Sequence, residues 1–213
     1  IYDGYRFRPL NGPDNYFADS FAVDVTQDTN GNIWLAFLEK GLLFYDPITN
    51  NYQQIDISDN GQQAQIVAIA PTKINQLIVL TTNSLFAVNI DNKQVTTLTT
   101  FEKYIQDDRA MYSLAIQDKK VFIGTREGLF FFDLSTLSVT QLPRVLGHID
   151  QSDPSVEQAN KIFSLVINEK TLYLGTFRGV YSANIDTLVT SNNKENYHYR
   201  QIDEAASVWK LQY

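Results

Sequence analysis

The side chains of this 213-residue chain that acid–base, metal or anion chemistry would use are few: two histidines, some adjacent carboxylates and a scatter of arginines. His148 and His198 have no partner at metal-ligand spacing, and no nucleophile motif accompanies either one. Both read as surface residues, in a long loop and beside a strand. Asp107-Asp108 and Asp203-Glu204 are neighbours in sequence. They would form a glycosidase-like or calcium site only if the fold set partners at a fixed separation, and solvated loop charges are the simpler reading. Cysteine is absent, which excludes disulfides, thiolate metal sites and cysteine nucleophiles. No catalytic residue, metal or cofactor is therefore expected. Arg126 and Arg178 remain, and each could hold a carboxylate or sulfate through paired hydrogen bonds.

The elements that would position these residues repeat along the chain. Ile33-Trp34-Leu35-Ala36-Phe37 aligns with Leu77-Ile78-Val79-Leu80-Thr81, Val121-Phe122-Ile123-Gly124-Thr125 and Leu172-Tyr173-Leu174-Gly175-Thr176. The offsets are 44, 44 and 51 residues (33 to 77, 77 to 121, 121 to 172). Each is a nearly continuous apolar run of strand length, the pattern of a strand buried on both faces. A short alternating strand precedes each run: Val23-Asp24-Val25, Val67-Ala68-Ile69, Tyr112-Ser113-Leu114 and Phe163-Ser164-Leu165. Strands beginning at Gly41, Ser84, Gly128 and Gly179 follow, ending in the turn-forming residues Asp46, Asn89, Asp133 and Asn184. A polar fourth strand closes each unit, at Tyr52-Ile55, Val95-Leu98, Val139-Leu142 and Tyr199-Ile202. Asn30-Gly31, between the first two strands, carries the signature of a type I′ hairpin turn.

Units of about 44 residues with four antiparallel strands, here a, b, c and d, cannot each bury two apolar faces alone. Radial stacking of the sheets does so, and the expected fold is an all-β propeller. The repeats span 21–55, 66–98, 111–142 and 162–202, in a single domain over 1–213. Strands a, b and c are expected in the packed interior and d at the rim. Residues 1–10 read as the last strand of an earlier blade and 207–213 as the first of a later one. Four full and two partial blades point to a fragment of a larger propeller, of about seven blades. Two long loops, 143–161 and 186–196, interrupt the period.

Asp28-Thr29-Asn30-Gly31-Asn32-Ile33-Trp34-Leu35-Ala36-Phe37, then Gly41-Leu42 and Tyr45-Asp46-Pro47, resembles the two-component regulator propeller repeat. Tyr2-Asp3-Gly4-Tyr5-Arg6-Phe7 is similar to the end of the first such repeat in many members. Later repeats keep Gly124-Thr125 and Gly175-Thr176 but lose the tryptophan, and the second replaces the glycine with Thr81-Thr82-Asn83-Ser84. The resemblance implies the sensory region of a bacterial membrane-bound signalling protein, placed on the periplasmic or extracellular side. A histidine kinase or diguanylate cyclase output module would lie elsewhere in such a protein. It implies ligand detection without catalysis, and a homodimer as one mode of assembly.

In a propeller, b–c and d–a connections converge on one mouth. The b–c turns here place Lys40, Asn83, Glu127 and Arg178 at one repeat position, with Glu39, Thr82, Arg126 and Phe177 beside them. From these, Lys40, Asn83, Arg126, Glu127, Phe177 and Arg178 are the candidate ligand-binding set. Phe177, with Tyr16, Phe17 and Tyr104, offers flat surfaces to a sugar or peptide; solvated loop tips are the alternative. Trp34, the Gly-Thr pairs and the turn acids Asp46 and Asp133 read as structural: blade packing, close backbone approach and turn closure.

Composition narrows the partners. A net charge of −7 and a pI near 4.8 leave no phosphate-binding footprint, so nucleic acid is not an expected partner. No apolar run reaches the ~18 residues of a membrane span. No charged and apolar leader follows Ile1, so any signal peptide is expected to lie outside the sequence. The expected partner is a small extracellular ligand (a sugar, peptide or organic acid) or a protein domain. The competing readings are an enzyme on a propeller scaffold, of lyase or lactonase type, and an assembly platform.

Overall fold

The computed structural model describes residues 19–105, 111–146, 154–190 and 199–203. The expected partial strands at 1–10 and 207–213 lie outside them, as do His148, His198, Tyr16, Phe17, Asp107, Asp108 and Glu204. Blade 1 is built from β1 (Ala22–Gln27), β2 (Ile33–Phe37), β3 (Gly41–Asp46) and β4 (Asn51–Ile55). A small hairpin follows, β5 (Ser58–Asp59) and β6 (Gln62–Gln63). Blade 2 comprises β7 (Ile66–Pro71), β8 (Gln76–Thr81), β9 (Ser84–Asn89) and β10 (Val95–Thr100); blade 3 comprises β11 (Met111–Gln117), β12 (Lys120–Thr125), β13 (Gly128–Asp133) and β14 (Ser138–Gln141). Helix α1 (Pro154–Ala159) leads into blade 4, made of β15 (Ile162–Asn168), β16 (Thr171–Thr176), β17 (Gly179–Asn184) and, after α2 (Ile185–Thr190), β18 (Arg200–Asp203). Each blade is a four-stranded antiparallel sheet with its strands in sequence order, which makes the fold a β-propeller. The two interruptions of the period, expected as loops, each contain one of these short helices.

The continuous apolar runs sit where a strand faces core on both sides. Leu77 and Val79 of β8 join Trp34, Ala36 and Leu42 in the core between blades 1 and 2. Their alternating neighbours Ile78 and Leu80 join Val121, Ile123 and Phe130 between blades 2 and 3. Phe122 then meets Leu172, Leu174 and Tyr181 between blades 3 and 4. Successive residues on a strand point to opposite faces, so a strand between two cores must be apolar at every position. Each of the larger buried side chains contributes about 1.5–3 kcal/mol.

Neighbouring blades meet through their first strands, β1 on β7, β7 on β11 and β11 on β15, which puts these strands innermost. Among the described residues no comparable packing returns blade 4 to blade 1. The first strands alternate between buried and half-exposed, as their sequences predict, but β1, expected in the packed interior, is largely exposed, with Val25 61% accessible and Phe21, just before the strand, 73%. A first strand is an end strand of its sheet, so one of its edges has no strand partner. Its inner edge has backbone donors without a strand partner, and Asp24 satisfies one by accepting a hydrogen bond from the Ile69 amide at 2.9 Å.

The blades approach closely at Gly124. A Cβ there would lie 2.3 Å from Ser113 Oγ and 2.7 Å from the Ile162 carbonyl oxygen. The same register holds Ala36 against the core of Ile66, while in blade 2 it holds Leu80. The residue in that core aligned with Ile66 and Ile162 is Met111, the chain's single methionine, whose unbranched side chain adapts to the larger neighbour.

The first hairpin differs from the type I′ turn that Asn30-Gly31 predicts. Only Gly31 takes a positive φ (+88°), and its amide bonds the Asp28 carbonyl at 3.1 Å, which makes a four-residue turn. The buried Asp28 carboxylate causes this. It accepts from the Asn30 and Asn32 amides at 2.9 and 3.0 Å and from Trp34 Nε1 at 2.8 Å. Paired positive φ values belong instead to Asn60 (50°) and Gly61 (79°), at the tip of the β5–β6 hairpin. Across the blade boundary, Lys93 sets its ammonium 3.6 Å from the Phe44 ring centre and 5.1 Å from that of Trp34, and donates to the Ile90 carbonyl. Burial pulls the Lys93 pKa down, with the charges of Asp28 and Asp91 opposing.

Two glycine substitutions separate steric from conformational cost. Gly124→Ala should lose about 1–3 kcal/mol of stability through overpacking. Gly61→Ala, with nothing within 4 Å of its Cβ, should lose only the ~1–2 kcal/mol of a left-handed residue. Ser113 Oγ is buried without a hydrogen-bond partner, so Ser113→Ala should be near neutral alone and restore part of the Gly124→Ala loss in urea unfolding. It should not restore Gly61→Ala.

Candidate functional site

The mouth is assembled from b–c turns tied by backbone bonds to the d–a connections. The Leu38 amide donates to the Phe21 carbonyl (3.1 Å), Thr82 to Gln65 (3.0 Å) and Phe101 to Asn83 (2.8 Å). In three blades the threonine before the turn closes it. Thr81, Thr125 and Thr176 donate from Oγ1 to the carbonyls of Ser84, Gly128 and Gly179 at 3.1, 2.9 and 3.0 Å. The same oxygens of Thr125 and Thr176 accept from the Glu127 and Arg178 amides, both at 3.0 Å. This is the role of the repeated Gly-Thr pair that spacing alone does not disclose: glycine admits the next blade and threonine clamps the turn. Blade 1 has Phe37 in place of threonine, and its turn runs through three residues, Leu38-Glu39-Lys40.

The clamps hold the candidate residues at one end of the molecule. Asn83, Arg126, Glu127, Phe177 and Arg178 are exposed and Lys40 is half-buried. Further bonds steady the turns: Gln141 Nε2 donates to the Glu127 carbonyl at 3.3 Å and Gln201 Nε2 to the Arg178 carbonyl at 3.5 Å. In blade 2, where serine replaces glycine, Ser84 Oγ donates to Asp59 of the β5–β6 hairpin at 2.6 Å. Arg126 faces α1. Its charge and that of Arg144 act on Glu157, whose carboxyl is held below the usual carboxylate range first by the hydrogen bond and charge of Lys161, 2.8 Å away. Asn160, fully buried, fastens α1 by accepting from the Val145 amide (2.9 Å) and donating to the Val145 and Val156 carbonyls (3.1 and 2.6 Å). Arg126 and Arg178 therefore sit in different surroundings. Tyr104, expected as an open flat surface, packs edge-on against Phe130 with ring centres 6.0 Å apart.

A feature without a sequence signature adds side chains to the mouth. Every first strand carries a register shift at one position, between Ala22 and Asp24, Ile66 and Ala68, Met111 and Ser113, and Ile162 and Ser164. Such bulges re-aim a side chain. The skipped residues are Val23, Val67, Tyr112 and Phe163, each at the mouth end of its strand. Tyr112 and Phe163 lie 4.9 Å apart between ring centres, and Phe163 lies 6.1 Å from Phe177. A strip of three aromatic rings thus crosses from blade 3 to the b–c turn of blade 4. Its members are half-buried or exposed, Phe177 being 37% accessible. Among the described residues no group of three or more histidines, aspartates or glutamates is brought together.

No protein-family model and no curated protein matches the sequence. Solved structures resemble the fold. The extracellular domain of the putative hybrid two-component system BT3049 from B. thetaiotaomicron superposes with a TM-score of 0.67 at 15% identity, over 95% of this chain and 25% of that one. The corresponding domain of BT4673 from the same organism gives 0.59 at 20% identity, over 86% and 22%. Virginiamycin B lyase from Staphylococcus aureus gives 0.61 at 11%, over 89% and 58%. The chain spans about a quarter of the length of the two extracellular domains. At these identities the likeness concerns the propeller fold, which extracellular domains of two-component systems and an enzyme share.

If the threonine clamp holds the mouth in shape, Thr176→Val strands the Arg178 amide and the Gly179 carbonyl. We expect a loss of about 1–3 kcal/mol and faster amide hydrogen exchange at Arg178, with the β15–β16 ladder still protected.

Proposed function

We propose that this chain is a non-catalytic, ligand-binding propeller region from the extracytoplasmic part of a bacterial membrane-anchored signal transduction protein. Its mouth, lined by the b–c turns and the bulge residues, takes a small ligand. The observation that carries this reading is the strip Tyr112–Phe163–Phe177, set on clamped turns whose residues differ from blade to blade. A rigid frame with blade-specific turn residues is how such a scaffold individualises a pocket. The resemblance to extracellular domains of two-component systems supports the extracytoplasmic placement. No helix of the described residues is long and apolar enough to cross a membrane, so the anchor in this reading lies elsewhere in the parent protein.

An enzyme of lyase type is the second reading, favoured by the likeness to virginiamycin B lyase. It requires an acid/base or metal cluster near the axis, and the described mouth residues supply aromatic rings and single charges instead.

A thermal-shift screen of sugars, amino acids and organic acids against the protein separates these outcomes. A ligand at 100 times its Kd should stabilise the fold by about 2.7 kcal/mol, and Phe177→Ala should abolish the shift. A shift that survives Phe177→Ala would place binding elsewhere, and no shift from any class would argue against small-molecule sensing.

A further inference from the structure

Two polar groups at the aromatic strip have no assigned task. Among the described residues, the Tyr112 hydroxyl and the Arg178 guanidinium make no hydrogen bond or ion pair, although the Arg178 backbone is bonded at both its amide and its carbonyl. Arg178 directly follows Phe177 in a two-residue turn, so an exposed cation is carried on the residue next to the end of the strip. Because the turn backbone is already clamped, a ligand that engages the guanidinium has only the side chain to order. The neighbouring blade differs at this position. Glu127 occupies in blade 3 the turn position that Arg178 occupies in blade 4, and it too is exposed. An acidic group is therefore drawn to the blade 4 end, whereas in blade 3 Arg126 beside Glu127 leaves the turn without net charge, and the rings between accept a flat, apolar face.

Resting on the reading of the mouth as a ligand site, we infer that this subsite binds a ring-shaped monoacid. The ring stacks on Phe163 and Phe177, the carboxylate pairs with the Arg178 guanidinium, and a hydroxyl on the ring meets Tyr112. The guanidinium fork matches a carboxylate through two parallel hydrogen bonds, which lysine cannot reproduce. The shared chemistry fits two sources, an aryl carboxylate and a hexuronate. Each presents a planar or C–H face, one acid and hydroxyl groups.

The test titrates the protein with two matched pairs, 4-hydroxybenzoate with 4-hydroxybenzamide and glucuronate with glucose, followed by ligand-observed NMR. In one pair the acid should bind about tenfold or more tightly than its neutral partner. Arg178→Gln should remove that advantage without weakening the neutral compound, and its thermal unfolding should match wild type because the side chain is exposed. Phe177→Ala should weaken both members of the pair. The pair that responds identifies the source. Equal affinity for acid and neutral compound, or acid binding insensitive to Arg178→Gln, overturns the inference and leaves the mouth standing as a ligand site. No binding of either acid, together with a hit from the thermal-shift screen, also overturns the inference alone. Blank results in both experiments overturn it together with the binding reading.

Discussion

The structure depends on how closely one blade lets the next approach. A four-stranded sheet with apolar residues on both faces is insoluble until each face is covered, and only another such sheet covers it along its whole length. At Gly124 the approach brings the Ile162 carbonyl to a distance that no Cβ would permit. The sizes at this register are linked across the boundary: glycine or alanine faces isoleucine, and leucine shares its core with methionine. The three inter-blade cores follow from this spacing. They account for the unbroken apolar runs of the second strands, which are buried because they serve two cores at once.

Polar cross-blade links and the candidate binding residues occupy opposite ends of the blades. Cross-blade links gather at the end bearing the a–b and c–d turns. Lys93 lies over Phe44 and Trp34, Lys73 reaches Asp118, and Lys120 reaches Asp186, which Lys170 of the same blade also pairs. The last three are exposed or, at Lys120, half-buried pairs worth little individually. The Lys93 contact is different, because its ammonium is partly desolvated against two rings. At the mouth the bonds run mostly within a blade or into the adjoining d–a connection. They fix backbone and leave side chains to solvent.

Period and polarity in the sequence disclosed the blades because burial on two faces forces apolar runs that no surface strand would carry. The turn acids were equally legible: Asp46 and Asp133 accept the Ile48 and Ser135 amides, as their position after an apolar strand implied. The Asn30-Gly31 rule misled because it is local, whereas Asp28 is recruited by Trp34 six residues away. The same rule, applied at Asn60-Gly61, would have found the β5–β6 hairpin. The bulges had no such signal. A bulge is a relation between two strands, and the residues it re-aims, Tyr112 and Phe163, look in sequence like any other alternating strand positions. Two of the three rings of the strip were therefore invisible, although Phe177 was not.

The bulge also explains how a mouth can vary without loss of the fold. A residue inserted into one strand of a pair leaves the ladder on either side intact and holds its own side chain half-buried at the mouth end of the strand. Val23 and Val67 hold this place in blades 1 and 2 and aromatic residues hold it in blades 3 and 4, on the same register shift. The b–c turns obey the same logic, since the clamp uses the threonine hydroxyl and backbone atoms and no turn side chain. Asn83, Glu127 and Arg178 can thus differ in charge at one geometric position without altering the bonds that hold it. Such positions are not fixed by packing, so the propeller fold, which extracellular domains of two-component systems and a lyase share, does not by itself decide what the mouth does.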